Sequence, residues 1–185
     1  MNKIIKTVIT TSVTVASTFL MANLQANEID LALGEDSIKI SYANQGAFSE
    51  RSQTNLSYYH HSDNGDLIDF DLLVGEASAK NNVLVGGKAF YLKDDNVDGG
   101  GLALGLTGQY ELPENFSLQG KVFYAPSMLV VSDLDNYYEL EGRVSYKIIP
   151  EAEVSVGYRN VAFDIDGGSK VKIQNQAFLA LTLIF

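Results

Sequence analysis

His60 and His61 are the only histidines in the chain, and with Ser62 and Asp63 beside them they set the three residue types of a hydrolytic triad side by side. Adjacency works against that chemistry. Neighbours on a strand point to opposite faces, so the two imidazoles cannot share a metal ion without a bulge. A nucleophile also needs its base within hydrogen-bond reach in space, which sequence proximity does not supply. The expectation is a protein that is not an enzyme, with a hydrolase at an outer rim, built on His61, as the residual alternative. No cysteine is present, so thiolate catalysis, thiolate metal sites and disulfides are excluded.

Carboxylates form the second candidate. Asp63, Asp66, Asp94, Asp95, Asp98, Asp133, Asp135, Asp164 and Asp166 gather in polar stretches between apolar segments. Their oxygens suit Ca²⁺ and Mg²⁺, but Asp94-Asp95-Asn96-Val97-Asp98 lacks the spaced glycine and terminal glutamate of an EF-hand. Solvated loop residues are expected there, with divalent cations as partners only where they bridge to a second anionic surface. Gly99-Gly100-Gly101-Leu102-Ala103-Leu104-Gly105 is not a dinucleotide fingerprint, because no helical pattern follows it. No cofactor is expected. A formal net charge of −10 argues against nucleic acid, whose phosphates need clustered Lys and Arg.

The third set is the most ordered. Asp69, Asp71, Lys88, Lys121, Glu139, Glu141, Arg143, Lys147, Glu153 and Arg159 all fall at alternate positions within segments whose intervening residues are apolar. Between Asn136 and Ile149, for example, Tyr138, Leu140, Val144, Tyr146 and Ile148 oppose Glu139, Glu141, Arg143, Ser145 and Lys147. Period-two alternation of this kind makes strands with one greasy and one charged face. In a soluble sandwich the greasy face would be the core. Three features favour the inverted arrangement, a transmembrane barrel with an apolar exterior facing lipid and a polar, charged lumen. Leu102, Leu104, Leu106, Tyr110 and Leu112 alternate with small and polar Gly101, Ala103, Gly105, Thr107 and Gln109, which fits a crowded interior. Tyrosines recur near strand ends, at Tyr42, Tyr58, Tyr91, Tyr110, Tyr124, Tyr138 and Tyr146, as aromatic girdles do. Short turns at Lys80-Asn81, 112–115 and 149–151 alternate with longer polar connections at 61–66, 93–99, 126–135 and 164–170.

The elements that position these charges are eight long strands, at about 53–61, 67–78, 82–92, 99–111, 116–126, 135–149, 152–163 and 172–185, in an all-β, antiparallel up-and-down barrel. Segments 29–33 and 37–42 remain over, either as a further hairpin making ten strands or as an N-terminal extension. Ahead of them, Lys3 and Lys6 precede a mildly apolar stretch to Met21, and Leu24-Gln25-Ala26 offers a small residue for cleavage. Residues 1–26 read as a secretory signal peptide and 27–185 as the barrel; without the signal the formal charge is −12. The last strand, with Leu179, Leu181, Leu183 and Phe185 on one face, ends in the aromatic expected of a strand read by the barrel-insertion machinery.

Four stretches, Tyr59–Asp66, Val85-Gly86-Gly87-Lys88-Ala89-Phe90-Tyr91, Tyr124-Ala125-Pro126-Ser127 and Val156-Gly157-Tyr158-Arg159, resemble the YfaZ family of predicted outer-membrane proteins. The resemblance implies an exported outer-membrane barrel and carries over no functional residue. The expected location is the bacterial outer membrane of a Gram-negative cell, with outer-membrane lipid and lipopolysaccharide as surroundings. The expected role is structural, in envelope integrity, or in surface interaction. The charges of both signs would crosslink the lumen, because eight strands leave only enough space for side chains. The alternative is a narrow channel for small solutes or ions.

Overall fold

The computed structural model describes residues 27–62, 65–77, 81–94, 98–132, 134–165 and 169–185, with side chains at all of these except 76–77, 165 and 169–173. Residues 1–26, expected to be a signal peptide, lie outside the described residues, as do Asp63, Lys80, Asp95, Asp133 and Asp166.

Alternation in the sequence becomes strand throughout: β1 (Asn27–Leu33), β2 (Ser37–Gln45), β3 (Ser52–His61), β4 (Gly65–Ala77), β5 (Asn81–Lys93), β6 (Asp98–Glu111), β7 (Phe116–Ala125), β8 (Val130–Ser132), β9 (Leu134–Ile149), β10 (Ala152–Ile165) and β11 (Ser169–Ile184). All but the three-residue β8 form a closed antiparallel barrel of ten strands in sequence order. Closure settles the N-terminal question in favour of the hairpin. β1 inserts between β2 and β11, with Ile29 opposite Tyr42 on one side and Leu183 on the other. At the seam the Asn27 amide donates to the Phe185 carbonyl at 2.8 Å, and the Phe185 amide donates back at 2.9 Å. Without that hairpin β3 and β11 would each present an unpaired edge, which a membrane does not tolerate.

Exposure decides which face looks in. On β11, Leu179 is 67% and Leu181 43% exposed, against 3% for Phe178 and 6% for Ala180. The same holds on β6, where Leu102, Leu104 and Leu106 are exposed and Ala103 is fully buried. The greasy side chains therefore clothe the barrel, an arrangement that water would penalise and lipid satisfies. Tyr58, Tyr91, Tyr124 and Tyr138 lie outward towards one rim, and Tyr42, Tyr110, Phe116 and Tyr146 outward towards the other, where the rings of Phe116 and Tyr146 pack at 4.9 Å. Strands tilted by about 40° and rising about 3.3 Å per residue make the leucine-rich stretch of β6 between these belts about 20 Å tall, close to a hydrocarbon span.

Asn27 and Phe185 lie at one rim, here the terminal rim, where β2 leads to β3, β4 to β5, β6 to β7 and β9 to β10. At the opposite rim β1 leads to β2, β3 to β4, β5 to β6, β7 to β9 and β10 to β11. The expected contrast of loop length fails here. Cross-strand pairing runs past the apolar alternation, so Asp66, Asp98, Asp135 and Asp164 belong to β4, β6, β9 and β10 rather than to long loops. Only 126–133 is extended on that rim, while 46–51 on the terminal rim is longer than the remaining hairpin turns. Backbone pairing needs no apolar side chain, so polar residues at a hairpin tip stay in the ladder.

Candidate functional site

The inward face of the ten strands converges on two ionic clusters, each built around a phenylalanine. In the first, the Lys88 ammonium on β5 lies 2.6 Å from Glu139 Oε2, 3.3 Å from Asp69 and 3.4 Å from Asp71, with no exposure of its side chain. Lys121 on β7 lies 3.0 Å from Asp71 and 3.5 Å from Glu139. Tyr137 donates to Glu139 at 2.7 Å, and Asn55 to Asp71 at 3.2 Å. Both ammonium groups sit over the Phe123 ring, at 4.8 and 5.2 Å from its centre.

The second cluster uses guanidinium groups. Glu141 on β9 accepts from Arg143 through one carboxylate oxygen and from Arg159 through the other. Arg143 also donates to Asp30 at 2.9 Å, and Arg159 reaches Gln174 at 3.4 Å. The two cations flank Phe178, at 5.3 and 4.7 Å from its ring centre. Cations desolvated against an aromatic face gain about 2 kcal/mol each, which offsets part of the cost of taking the charges out of water. The two rings fit because small residues back them. A Cβ on Gly105 would lie 2.5 Å from the Phe123 ring, and one on Gly157 the same distance from Phe178.

Of the residues singled out by alternation, Asp69, Asp71, Lys88, Lys121 and Glu139 meet in the first cluster, and Glu141, Arg143 and Arg159 in the second. Lys147 and Glu153 form a separate pair at 3.5 Å towards the terminal rim, where Lys147 is 38% exposed. Leu179, Leu181, Leu183 and Phe185 all face outward. Sequence reasoning passed over Asp30, Lys39, Tyr137 and Phe123 as parts of the lumen. Asp30 and Lys39 are single charges within short alternating segments, and they become lumen residues once β1 and β2 are placed in the wall.

Above the ionic layer, towards the rim without termini, the lumen is apolar. Tyr59, Leu67, Phe90, Leu92, Tyr137 and Phe163 form one buried cluster. Phe90 and Tyr137 stack at 4.3 Å, and Phe163 packs at 4.9 Å from Tyr137. The connection from β7 to β9 adds to this cluster. A single 3₁₀ turn at Ser127–Leu129 leads into β8, which pairs with Gly99, Gly100 and Gly101 of β6 and turns Val130 into the cluster. The glycine run has its explanation here: a Cβ on Gly101 would lie 2.5 Å from the Leu129 carbonyl oxygen, and one on Gly99 2.6 Å from the Leu134 side chain.

Below the ionic layer the lumen opens into a vestibule of about 170 Å³ at the rim that carries the termini. Its collar is made of amides, including Gln45, Gln53, Asn82, Gln109 and Gln119.

Asp63 lies outside the described residues, so the set of His61, Ser62 and Asp63 is not described in full. His60 faces outward with Nδ1 2.7 Å from Asp66, whose same oxygen accepts from Tyr58 at 2.9 Å. Its cross-strand neighbours are Ile38 and Asp66, so no hydroxyl nucleophile stands beside it in register, and His61 points to the opposite face. Among the described residues no group of three His, Asp or Glu side chains is placed to hold a metal ion.

Residues 6–185 match the family described as YfaZ precursor. No curated protein matches the chain. Among solved structures it is similar to the outer membrane channel DcaP of Acinetobacter baumannii, at 12% identity and a TM-score of 0.47, covering 84% of this chain and 54% of that one. It is also similar to the NanC porin, at 8% identity and a TM-score of 0.45, covering 87% of this chain and 98% of that one. The chain thus spans about half the length of the DcaP channel.

Proposed function

The chain belongs to the YfaZ family, and from that premise we propose that it is an outer-membrane barrel sealed by its own side chains, with a structural role in envelope integrity or a role in surface interaction. The observation that carries this reading is the filled upper lumen. Phe123, Tyr137 and Phe163 have no exposure and Lys88 and Arg159 have 1%, so ions would have to pass through packed rings and paired charges. Ten strands enclose more space than eight; here aromatic and guanidinium side chains occupy it. The family's description as a precursor supports removal of residues 1–26 on export. Export through the periplasm leaves the termini on that side, so the vestibule opens to the periplasm and β8 seals the outward end. In this reading the protein is not an enzyme and needs no cofactor. Its surroundings are outer-membrane lipid and lipopolysaccharide, and the barrel-insertion machinery reads its last strand.

The vestibule favours one second reading, a narrow channel whose outer half opens under conditions that displace β8. Planar bilayers test the two. Purified protein is expected to give no reproducible conductance steps, and a variant carrying Phe90→Ala, Tyr137→Ala and Phe163→Ala is expected to give them. Regular open steps from the unaltered protein would overturn the sealed barrel in favour of the channel.

A further inference from the structure

The vestibule carries more than a solvated recess would need. Asp30, 8% exposed, gives one carboxylate oxygen to Arg143 and Thr182, but its Oδ1 is buried without a hydrogen-bond partner. Asn82 Oδ1 is also buried and unpartnered. Both residues line the vestibule, as does Lys39, a residue 5% exposed whose ammonium makes neither a hydrogen bond nor an ion pair among the described residues. A buried polar group without a partner costs about 1–3 kcal/mol, so unpaired acceptors and an unpaired donor around one space mark a place where something polar completes them.

The charges say what kind of molecule that is. Glu28, Asp30, Asp71, Glu141 and Glu153 outnumber Lys39, Lys121 and Arg143 in the wall. Inside, Arg143 is matched by Asp30 and Glu141, Lys121 by Asp71 and Glu153 by Lys147, which leaves Glu28 as the excess acid at the mouth. An anion would be repelled on approach. A cation that passed the mouth would meet the Lys39 ammonium and the guanidinium of Arg143, both in the wall. No aromatic ring lines the space, so a flat apolar ligand has nothing to stack on. The collar is chemically matched to hydroxyls, because each amide, like each hydroxyl, both donates and accepts. Gln53 and Gln119 make no side-chain hydrogen bond among the described residues and are free to do so. The volume has room for about six waters at about 30 Å³ each, about what a molecule of hexose size displaces.

We propose that the periplasm-facing vestibule is a binding site for a small neutral polyhydroxylated solute of monosaccharide size. Its hydroxyls bridge the amide collar at Gln53, Asn82 and Gln119 to the inner groups Lys39 and Asp30. The site rests on the sealed-lumen reading, since a dead-ended recess retains a solute that a channel would pass.

The test follows the side-chain amide resonances of the full chain in detergent micelles during titration with glucose, gluconate and glucosamine, which share a size and differ in charge. Glucose is expected to shift a small set of Gln and Asn signals saturably, with affinity on the order of millimolar, as a ligand of about twelve heavy atoms allows. Gluconate and glucosamine are expected to bind at least tenfold more weakly. Gln53→Leu combined with Gln119→Leu should abolish the shifts while heat-modifiable gel migration is kept; should that pair fail to fold, Lys39→Gln takes its place. No saturable shift, tighter binding of either charged analogue, or shifts unaltered by the variants would overturn the site. Conductance separates the two readings: open steps with the glucose shifts intact remove the seal and leave the site, whereas silence without shifts removes the site and leaves the seal.

Discussion

Replacing Lys88 with Met isolates what the ionic layer contributes. The ammonium is fully enclosed and serves Asp69, Asp71 and Glu139. After its removal Lys121 still reaches Asp71 at 3.0 Å and Glu139 at 3.5 Å, but Asp69 has no second ion pair among the described residues. One uncompensated carboxylate therefore remains in a closed lumen, and breaking a buried pair in this way costs about 3–5 kcal/mol. Lys88→Met is thus expected to lose about 3–5 kcal/mol. Adding Asp69→Asn removes the orphaned charge and should recover about 2 kcal/mol. Urea unfolding in lipid vesicles, followed by the gel mobility of the folded barrel, reads these differences. A loss below about 1 kcal/mol for Lys88→Met, or no recovery on adding Asp69→Asn, would refute the premise that this ammonium is the one group neutralising Asp69.

Leu181→Arg places a charge on the lipid face at mid-strand and should cost about 2–4 kcal/mol in the same assay; a neutral result would contradict the outward assignment of β11. Deleting Phe185 removes both backbone hydrogen bonds to Asn27 at the β1–β11 seam, and it should lower the fraction of chain recovered in the heat-modifiable barrel form. Gly101→Ala forces the β7–β9 connection away from β6, and limited proteolysis should then cleave between 126 and 132 faster than in the unaltered chain, with the barrel core still resistant.

Much of the wall was legible in the sequence because a strand has a period of two and a barrel reports that period on every residue. The eight long segments correspond to β3–β7 and β9–β11 with ends displaced by a few residues, the displacement coming from polar hairpin tips that pair without apolar side chains. Alternation also placed Asp69, Lys88, Glu139, Glu141 and Arg159 on one face, since parity alone assigns a residue to lumen or lipid. Parity does not say which charges meet. Lys88 and Glu139 lie fifty-one positions apart on strands that are not hydrogen-bonded neighbours, so their contact depends on strand number, tilt and closure together. The same holds for Arg143 and Asp30, which are brought together only because β1 enters the wall. The seal by Phe90, Tyr137, Phe163 and Val130, and the unpaired vestibule beneath it, exist nowhere along the chain as a pattern. They arise when ten inward faces compete for one enclosed volume, a constraint that acts on the closed sheet as a whole.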